Sequence, residues 1–272
     1  MRRSFAYLLI CMPLCLFLVP DRAPVALSVP PQNADSYCDD GQTLPCDAVI
    51  CRLAQEKPLE FLDICLKRYH REVKGYCGLL KKQERISGKL ESSEMIDFCF
   101  REEPYSVLLK WREGARDVKA SLYVEGENKN LAAIITNTRI PISWNIDPDG
   151  KRAKDAGRYS IREFSIRQGT ERTLRAWQAA KDNGTLQVEY LGKVPVADLN
   201  GRICHVLKRH CNPPEDDGIA NIEIAIDAEN LLQIGSTLTG MNGELIGKYQ
   251  FYNLKINPHY ADAEFDRAAL KK

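Results

Sequence analysis

Residues 105–111 read Tyr-Ser-Val-Leu-Leu-Lys-Trp, which places Tyr105, Val107, Leu109 and Trp111 on one face of an extended chain. Residues 122–125, 221–227 and 248–256 carry a similar alternation of apolar and polar side chains. A period of two over several short segments predicts a curved antiparallel sheet with one apolar face that other elements must cover.

Outward from this stretch the same reading continues. Residues 76–86 and 95–101 are predicted strands flanking the turn Ser87-Gly88-Lys89. Residues 131–144 are apolar and β-branched, interrupted by Asn137 and Pro141, and Asp147-Pro148-Asp149-Gly150 is a turn signal. Further strands are predicted over 186–191, 202–210 and 231–239, with hairpin turns at Asp216-Asp217-Gly218 and Met241-Asn242-Gly243. Two segments have helical spacing instead. In 58–73, Pro58 suits a first helical position, and Leu59, Leu62, Leu66, Tyr69 and Val73 share a face. In 170–182, Thr170 is the expected cap, and Leu174 with Trp177 forms an apolar patch. About ten strands and two main helices, joined mostly by short turns, make an α+β layout with the helices packed on one face of the sheet.

The N-terminus is expected to be a signal peptide over residues 1–28. Arg2 and Arg3 form a positive region, an apolar run follows, and Ala26-Leu27-Ser28 supplies small residues for cleavage. That places the chain outside the cytoplasm, in the periplasm or cell envelope, with no membrane span in its mature form. Residues 29–56 read as a Cys-bearing leader loop and 57–272 as a single domain. Net charge is +1, with 28% charged and 44% hydrophobic residues. This leaves no field to draw nucleic acid or an anionic membrane, and enough apolar material for a sizeable core.

Ten cysteines include Cys11 and Cys15 in the expected signal peptide. The other eight, Cys38, Cys46, Cys51, Cys65, Cys77, Cys99, Cys204 and Cys211, are disulfide candidates in an oxidising compartment. Cys77 and Cys99 lie symmetrically about Gly88, so a hairpin brings them opposite one another. Cys204 and Cys211, if the chain between them is extended, stand about 23 Å apart.

Signals for catalysis and metal binding are thin. Cys204, His205, His210 and Cys211 have the residue types of a zinc site, but a strand sends Cys204 and His210 to one face and His205 and Cys211 to the other. No metal or other cofactor is expected. The turn at Asp147 lacks a calcium loop's twelfth-position Glu and has Arg158 there instead. Glu125, Asp147, Asp149 and Glu163 lie near strand ends, where carboxylates are common in any fold. No nucleophile elbow, zincin helix or phosphate loop is present, so no catalytic residue is assigned.

Several blocks in fixed order resemble one bacterial family. They are Tyr76-Cys77-Gly78-Leu79-Leu80-Lys81-Lys82-Gln83-Glu84-Arg85-Ile86 through Gly88-Lys89-Leu90, then Phe100-Arg101-Glu102-Glu103-Pro104-Tyr105-Ser106-Val107-Leu108-Leu109-Lys110-Trp111, then Leu122-Tyr123-Val124-Glu125-Gly126-Glu127-Asn128. Asp147-Pro148-Asp149-Gly150 and Leu254-Lys255-Ile256-Asn257 extend the series. Together they resemble the exported domain-of-unknown-function family 1571, over roughly residues 58–266. That family is similar to outer-membrane lipoprotein carriers of the LolA/LolB type. The resemblance implies a half-open β-barrel of LolA-like form, with helices on its concave face and a hydrophobic pocket for acyl chains. It carries no catalytic residues to transfer. The chain departs from the family pattern at Arg158-Tyr159-Ser160-Ile161-Arg162-Glu163, where His after the Arg and Thr before the Glu are expected.

Three readings of function follow, in descending order. The first is a non-enzymatic carrier or binding protein for a lipid, lipoprotein acyl chain or other apolar ligand, with Tyr105, Val107, Leu109 and Trp111 as cavity candidates. The second is a structural or protein-interaction module of the cell envelope. The third is a hydrolase with an unrecognised site.

Overall fold

The computed structural model describes residues 44–261 and 263–271. The expected signal peptide, Cys38 and the first part of the leader lie outside the described residues.

Two helices come first, α1 (Asp47–Glu56) and α2 (Pro58–Glu72). Seven strands follow: β1 (Gly75–Ile86), β2 (Lys89–Leu90), β3 (Glu94–Arg101), β4 (Ser106–Glu113), β5 (Val118–Val124), β6 (Ala132–Thr136) and β7 (Ser143–Ile146). Helices α3 (Lys151–Ala156) and α4 (Ile166–Asp182) interrupt them. Strands β8 (Gln187–Val196), β9 (Arg202–Glu215), β10 (Ile219–Asp227), β11 (Gln233–Thr239) and β12 (Leu245–Ile256) complete the order.

All pairings are antiparallel and the sheet is open and curved. Its order is β7-β6-β5-β4-β3-β1-β12-β11-β10-β9-β8, with β2 paired on β1. Two meanders therefore meet at the β1–β12 ladder, where Leu80 faces Phe251 and Lys82 faces Tyr249. The edge strands β7 and β8 are adjacent in sequence yet at opposite ends of the sheet. The 40-residue stretch between them (147–186) must cross a face of the sheet, and α4 lies in that crossing.

Ser165, not Thr170, caps α4: its Oγ accepts from the Gln168 N–H at 3.0 Å. Thr170 sits one turn inside, buried, donating to the Ile166 carbonyl at 3.0 Å. Gly169 inside the first turns obscured the earlier start, since glycine weakens a helical pattern. The expected leader loop over 29–56 also needs correction, because α1 occupies Asp47–Glu56. Val49, Ile50, Leu53 and Ala54 form its buried face, a short amphipathic period among cysteines that read as loop punctuation.

Phe61, Leu62, Trp177, Leu207, Ile224 and Ile226 form a fully buried core between the helices and β9–β10. A second core joins Tyr69, Tyr76, Phe98, Phe100, Tyr105 and Val107. A third lies on the opposite face of the sheet, where Leu108, Leu122, Val124 and Ile135 pack beneath Phe265, Ala269 and Leu270. The one-sided sheet expected from the alternation is thus two-sided over β4–β6, because the C-terminal segment covers the outer face. Cys77 and Cys99 are paired in register across β1 and β3 and joined by a disulfide. Cys46, Cys51, Cys65, Cys204 and Cys211 carry free thiols.

Candidate functional site: a cavity between sheet and helix

The crossing segment does not lie flat on the sheet. Beneath it is a cavity of about 370 Å³. Its floor includes Leu80, Ile96, Leu109 and Trp111 from one meander and Ile222 and Ile224 from the other. Its roof includes Ile161, Phe164 and Ile166. The space has a physical cause in α4. The helix turns Gly169, Thr173 and Ala176 toward it, at spacings of four and three, and all three are small. At Gly169 an added Cβ would meet no atom within 4 Å. One residue beyond Ala176, the large ring of Trp177 lines the far end of the cavity and packs on into the closed core.

The roof is pinned at its near end. The Tyr105 hydroxyl shares its one proton between the carbonyls of Phe164 at 2.8 Å and Ile161 at 3.1 Å. The Ile166 N–H donates to the Tyr76 hydroxyl at 2.7 Å. Phe164 packs edge-on against Phe98 at 5.3 Å, which in turn meets Phe251 at 5.6 Å. Such aromatic contacts fix orientation as well as bury area.

Of the four residues expected to face a ligand, Leu109 and Trp111 line the cavity. Tyr105 and Val107, further along the same strand face, lie in packed core under the pinned roof. Alternation identifies the face, but it cannot say where along the face the cover lifts away. The segment at Tyr159, Ser160, Ile161 and Glu163, where the chain departs from its family's pattern, also borders the cavity.

Sequence reasoning missed the polar end of the floor. Lys82 and Glu84 continue the inward parity of Leu80 on β1, and that parity was the available signal. Lys82 Nζ lies 3.0 Å from Glu84 Oε2 and 3.5 Å from Glu94 Oε2. The Trp111 indole N–H donates to Glu94 at 2.6 Å, and the Tyr249 hydroxyl donates to Glu84 at 2.7 Å. Arg116 Nε stands 3.6 Å from Glu94 Oε1. Burial, and then the Glu84 carboxylate, pushes the Tyr249 hydroxyl far above the ordinary phenol range, so it remains a donor. Trp177 Nε1 is buried with no hydrogen-bond partner among the described residues.

The remaining expected residues lie elsewhere. Cys204, His205, His210 and Cys211 all fall on β9. His205 is packed edge-on to Phe61 at 5.5 Å, and its Nδ1 hydrogen-bonds the Tyr190 hydroxyl at 2.9 Å. Burial, and then the charge of Lys193, lowers its pKa below the ordinary 6.5. His210 Nδ1 instead contacts Asn221 Oδ1 at 2.8 Å. Among the described residues, no three His, Cys, Asp or Glu side chains are grouped to hold a metal ion, and no helix is long and apolar enough to cross a membrane.

Residues 73–271 match the family model described as "Protein of unknown function (DUF1571)". No curated protein matches the chain. Among solved structures, the Pseudomonas aeruginosa MucA/MucB complex is similar at 17% identity and a TM-score of 0.46, covering 78% of this chain and 61% of that one. The Mycobacterium tuberculosis lipoprotein LppX is similar at 9% identity and a TM-score of 0.38, covering 76% and 100%. A putative outer membrane lipoprotein-sorting protein domain from Vibrio parahaemolyticus is similar at 12% identity and a TM-score of 0.33, covering 78% and 98%. The chain spans about three fifths of the length of the MucB structures that it matches.

Proposed function

The chain belongs to the DUF1571 family of proteins of unknown function, and from its own cavity we propose that it is a non-enzymatic carrier or binding protein of the periplasm or cell envelope. Its ligand is a lipid, a lipoprotein acyl chain or another apolar molecule. The observation that carries this reading is the cavity of about 370 Å³ held between two packed cores, floored by Leu80, Ile96, Leu109 and Trp111. Ligand pockets commonly measure roughly 300–1,000 Å³ and are mostly apolar. Drawing an alkyl chain from water into such a site gains about 0.8 kcal/mol per buried methylene.

The test is native mass spectrometry of the full chain purified from cells, with binding of an environment-sensitive apolar dye to the same protein. The expected result is co-purified lipid or saturable dye binding in the native chain, lost in Gly169→Leu, whose new side chain enters the cavity. No binding by the native chain, or equal binding by both, would overturn the reading.

A protein-interaction role is a second reading and draws support from another place. Ile140, Ile142 and Trp144 are exposed beside or on the edge strand β7, Ile140 at 77%. Exposed apolar residues at a sheet edge are suited to pairing with a further strand. Ile142→Lys separates the two readings, since it is expected to leave dye binding unchanged.

A further inference from the structure

The cavity floor changes from hydrocarbon to ions within one pleat. Leu80 faces Phe251 on one neighbouring strand and Ile96 on the other, whereas Lys82 faces Tyr249 and Glu94. The two rows are about 6.6 Å apart along β1. A ligand with an apolar body along the first row therefore has its end near the second.

Two properties of the polar row define what that end can be. The first is charge. Lys82 and Arg116 face Glu84 and Glu94, so two cations meet two carboxylates. An anionic or cationic head placed here would add an unmatched charge in a largely buried site, which is costly. The second property is the supply of hydrogen bonds. An ionised carboxylate offers about four acceptor positions. Glu84 uses one oxygen for Tyr249 and the other for Lys82. Glu94 takes the Trp111 N–H on one oxygen, while its other oxygen has only the longer approach of Arg116. Trp111 and Tyr249 have one donor proton each, and both already point at a carboxylate; of the three Lys82 donors two are directed at Glu84 and Glu94, and the Arg116 guanidinium donates to the Ala156 carbonyl. The row is charge-matched, with acceptor positions to spare on Glu94 and one Lys82 donor left over, a combination that a hydroxyl can meet from both sides.

We infer that the cavity selects an uncharged amphiphile whose head donates hydrogen bonds, a hydroxyl-bearing lipid such as a long-chain alcohol or a monoacylglycerol, over fatty acids and alkylamines. The inference rests on the carrier reading and narrows its ligand class. The backbone at Gly157 passes over the row, and a Cβ there would stand 3.4 Å from Glu84 Oε2 and 3.6 Å from Lys82 Nζ. A small head fits beneath this segment more readily than a bulky one.

The experiment is calorimetric titration of the full chain in neutral buffer with dodecan-1-ol, dodecanoate and dodecylammonium. The alcohol is expected to bind most tightly, with each charged probe about tenfold weaker or more. Glu84→Gln leaves Lys82 with less negative charge and is expected to shift the ranking toward dodecanoate. Lys82→Met leaves the carboxylates in excess and is expected to shift it toward dodecylammonium. Circular dichroism identifies which variant has folded, and either one suffices, since the native ranking carries the main test. Dodecanoate or dodecylammonium binding as tightly as the alcohol would overturn the head preference; tighter dodecanoate would place the head at Arg172 or Trp177 Nε1 instead. Either result leaves the carrier reading standing, whereas binding of none of the three probes would overturn both.

Discussion

Two parts of the inner face of one sheet are covered in different ways. Over β9 and the adjoining part of β10, α2 and the C-terminal half of α4 press large side chains onto the strands, and Phe61, Leu62, Leu207 and Ile226 are fully buried. Over β1, β3 and β4 and the facing parts of β10 to β12, the N-terminal half of α4 presents Gly169, Thr173 and Ala176, and a cavity remains. The strands on both sides carry the same kind of inward apolar residues. The difference lies in the cover: one helix is large-faced at one end and small-faced at the other. An apolar sheet face is therefore not evidence for a binding site until the residue sizes opposite it are known.

The comparison can be broken most forcefully by truncating one residue on each side. Phe61→Ala in the sealed part is expected to cost about 3–5 kcal/mol, because the void it leaves cannot collapse. Leu109→Ala on the cavity wall is expected to cost only about 1–3 kcal/mol, since it enlarges a space that already exists. Denaturant unfolding of the two variants measures both. Equal costs would mean that the cavity wall is packed as tightly as the sealed core.

Next in size is the disulfide on the outer face. Cys77 and Cys99 join β1 to β3 across a separation of 22 residues, at the centre of the sheet rather than at the cavity. Replacing both by Ser is expected to lower stability by about 2–4 kcal/mol, mainly by freeing the unfolded chain. Dye binding at matched folded fraction is expected to stay as it was. A loss of binding without unfolding would show that the outer face and the cavity are coupled.

The strands were legible because period two is a local property that each segment carries by itself. The Cys77–Cys99 pairing was legible for the same reason, since the turn at Gly88 sets the register between them. The cavity was half legible. Tyr105, Val107, Leu109 and Trp111 share a face, but only Leu109 and Trp111 meet open space. What decides this is where the roof is tied down, by the Tyr105 hydroxyl to residues 161 and 164. Those contacts span more than fifty residues and leave no local pattern. The polar row was missed although its parity was plain, because a charged residue on a strand carries no local sign of being interior. Only the positions of Glu94, Trp111 and Tyr249 on other strands make Lys82 and Glu84 interior. Helix α1 was missed because ten residues give too few turns for its period to stand out from a cysteine-bearing segment.

Filling the open part sharpens the contrast at a smaller scale. Gly169 lies inside α4, where glycine costs about 1 kcal/mol relative to alanine, and its Cβ position is empty. Gly169→Leu is expected to raise stability by about 1 kcal/mol while abolishing ligand binding. A cavity maintained at the expense of stability is what selection for a bound ligand would leave behind. If the variant is instead destabilised, the small face of α4 is needed for close packing, and the cavity loses its functional explanation.

The smallest effect concerns the sealed part alone. His205 is fully buried beside Phe61 and Tyr190, and burial, followed by the charge of Lys193, lowers its pKa below the ordinary 6.5. The folded protein thus resists a proton that the unfolded chain accepts. Above 6.5 both states are neutral at this residue and its contribution is constant. As pH falls below 6.5, the unfolded state takes up the proton first, so stability declines until the folded value is reached. His205→Gln removes this dependence. Between neutral and mildly acidic pH, the native chain is therefore expected to lose more stability than the variant, as read from the shift of each denaturation midpoint. The polar row at Lys82 and Glu84 lies outside the contacts of His205, so binding of an uncharged probe is expected to stay level over the same range as long as the protein remains folded. Parallel stability slopes for the two proteins would show that His205 reaches solvent, and that the sealed half of the sheet is less closed than its burial implies.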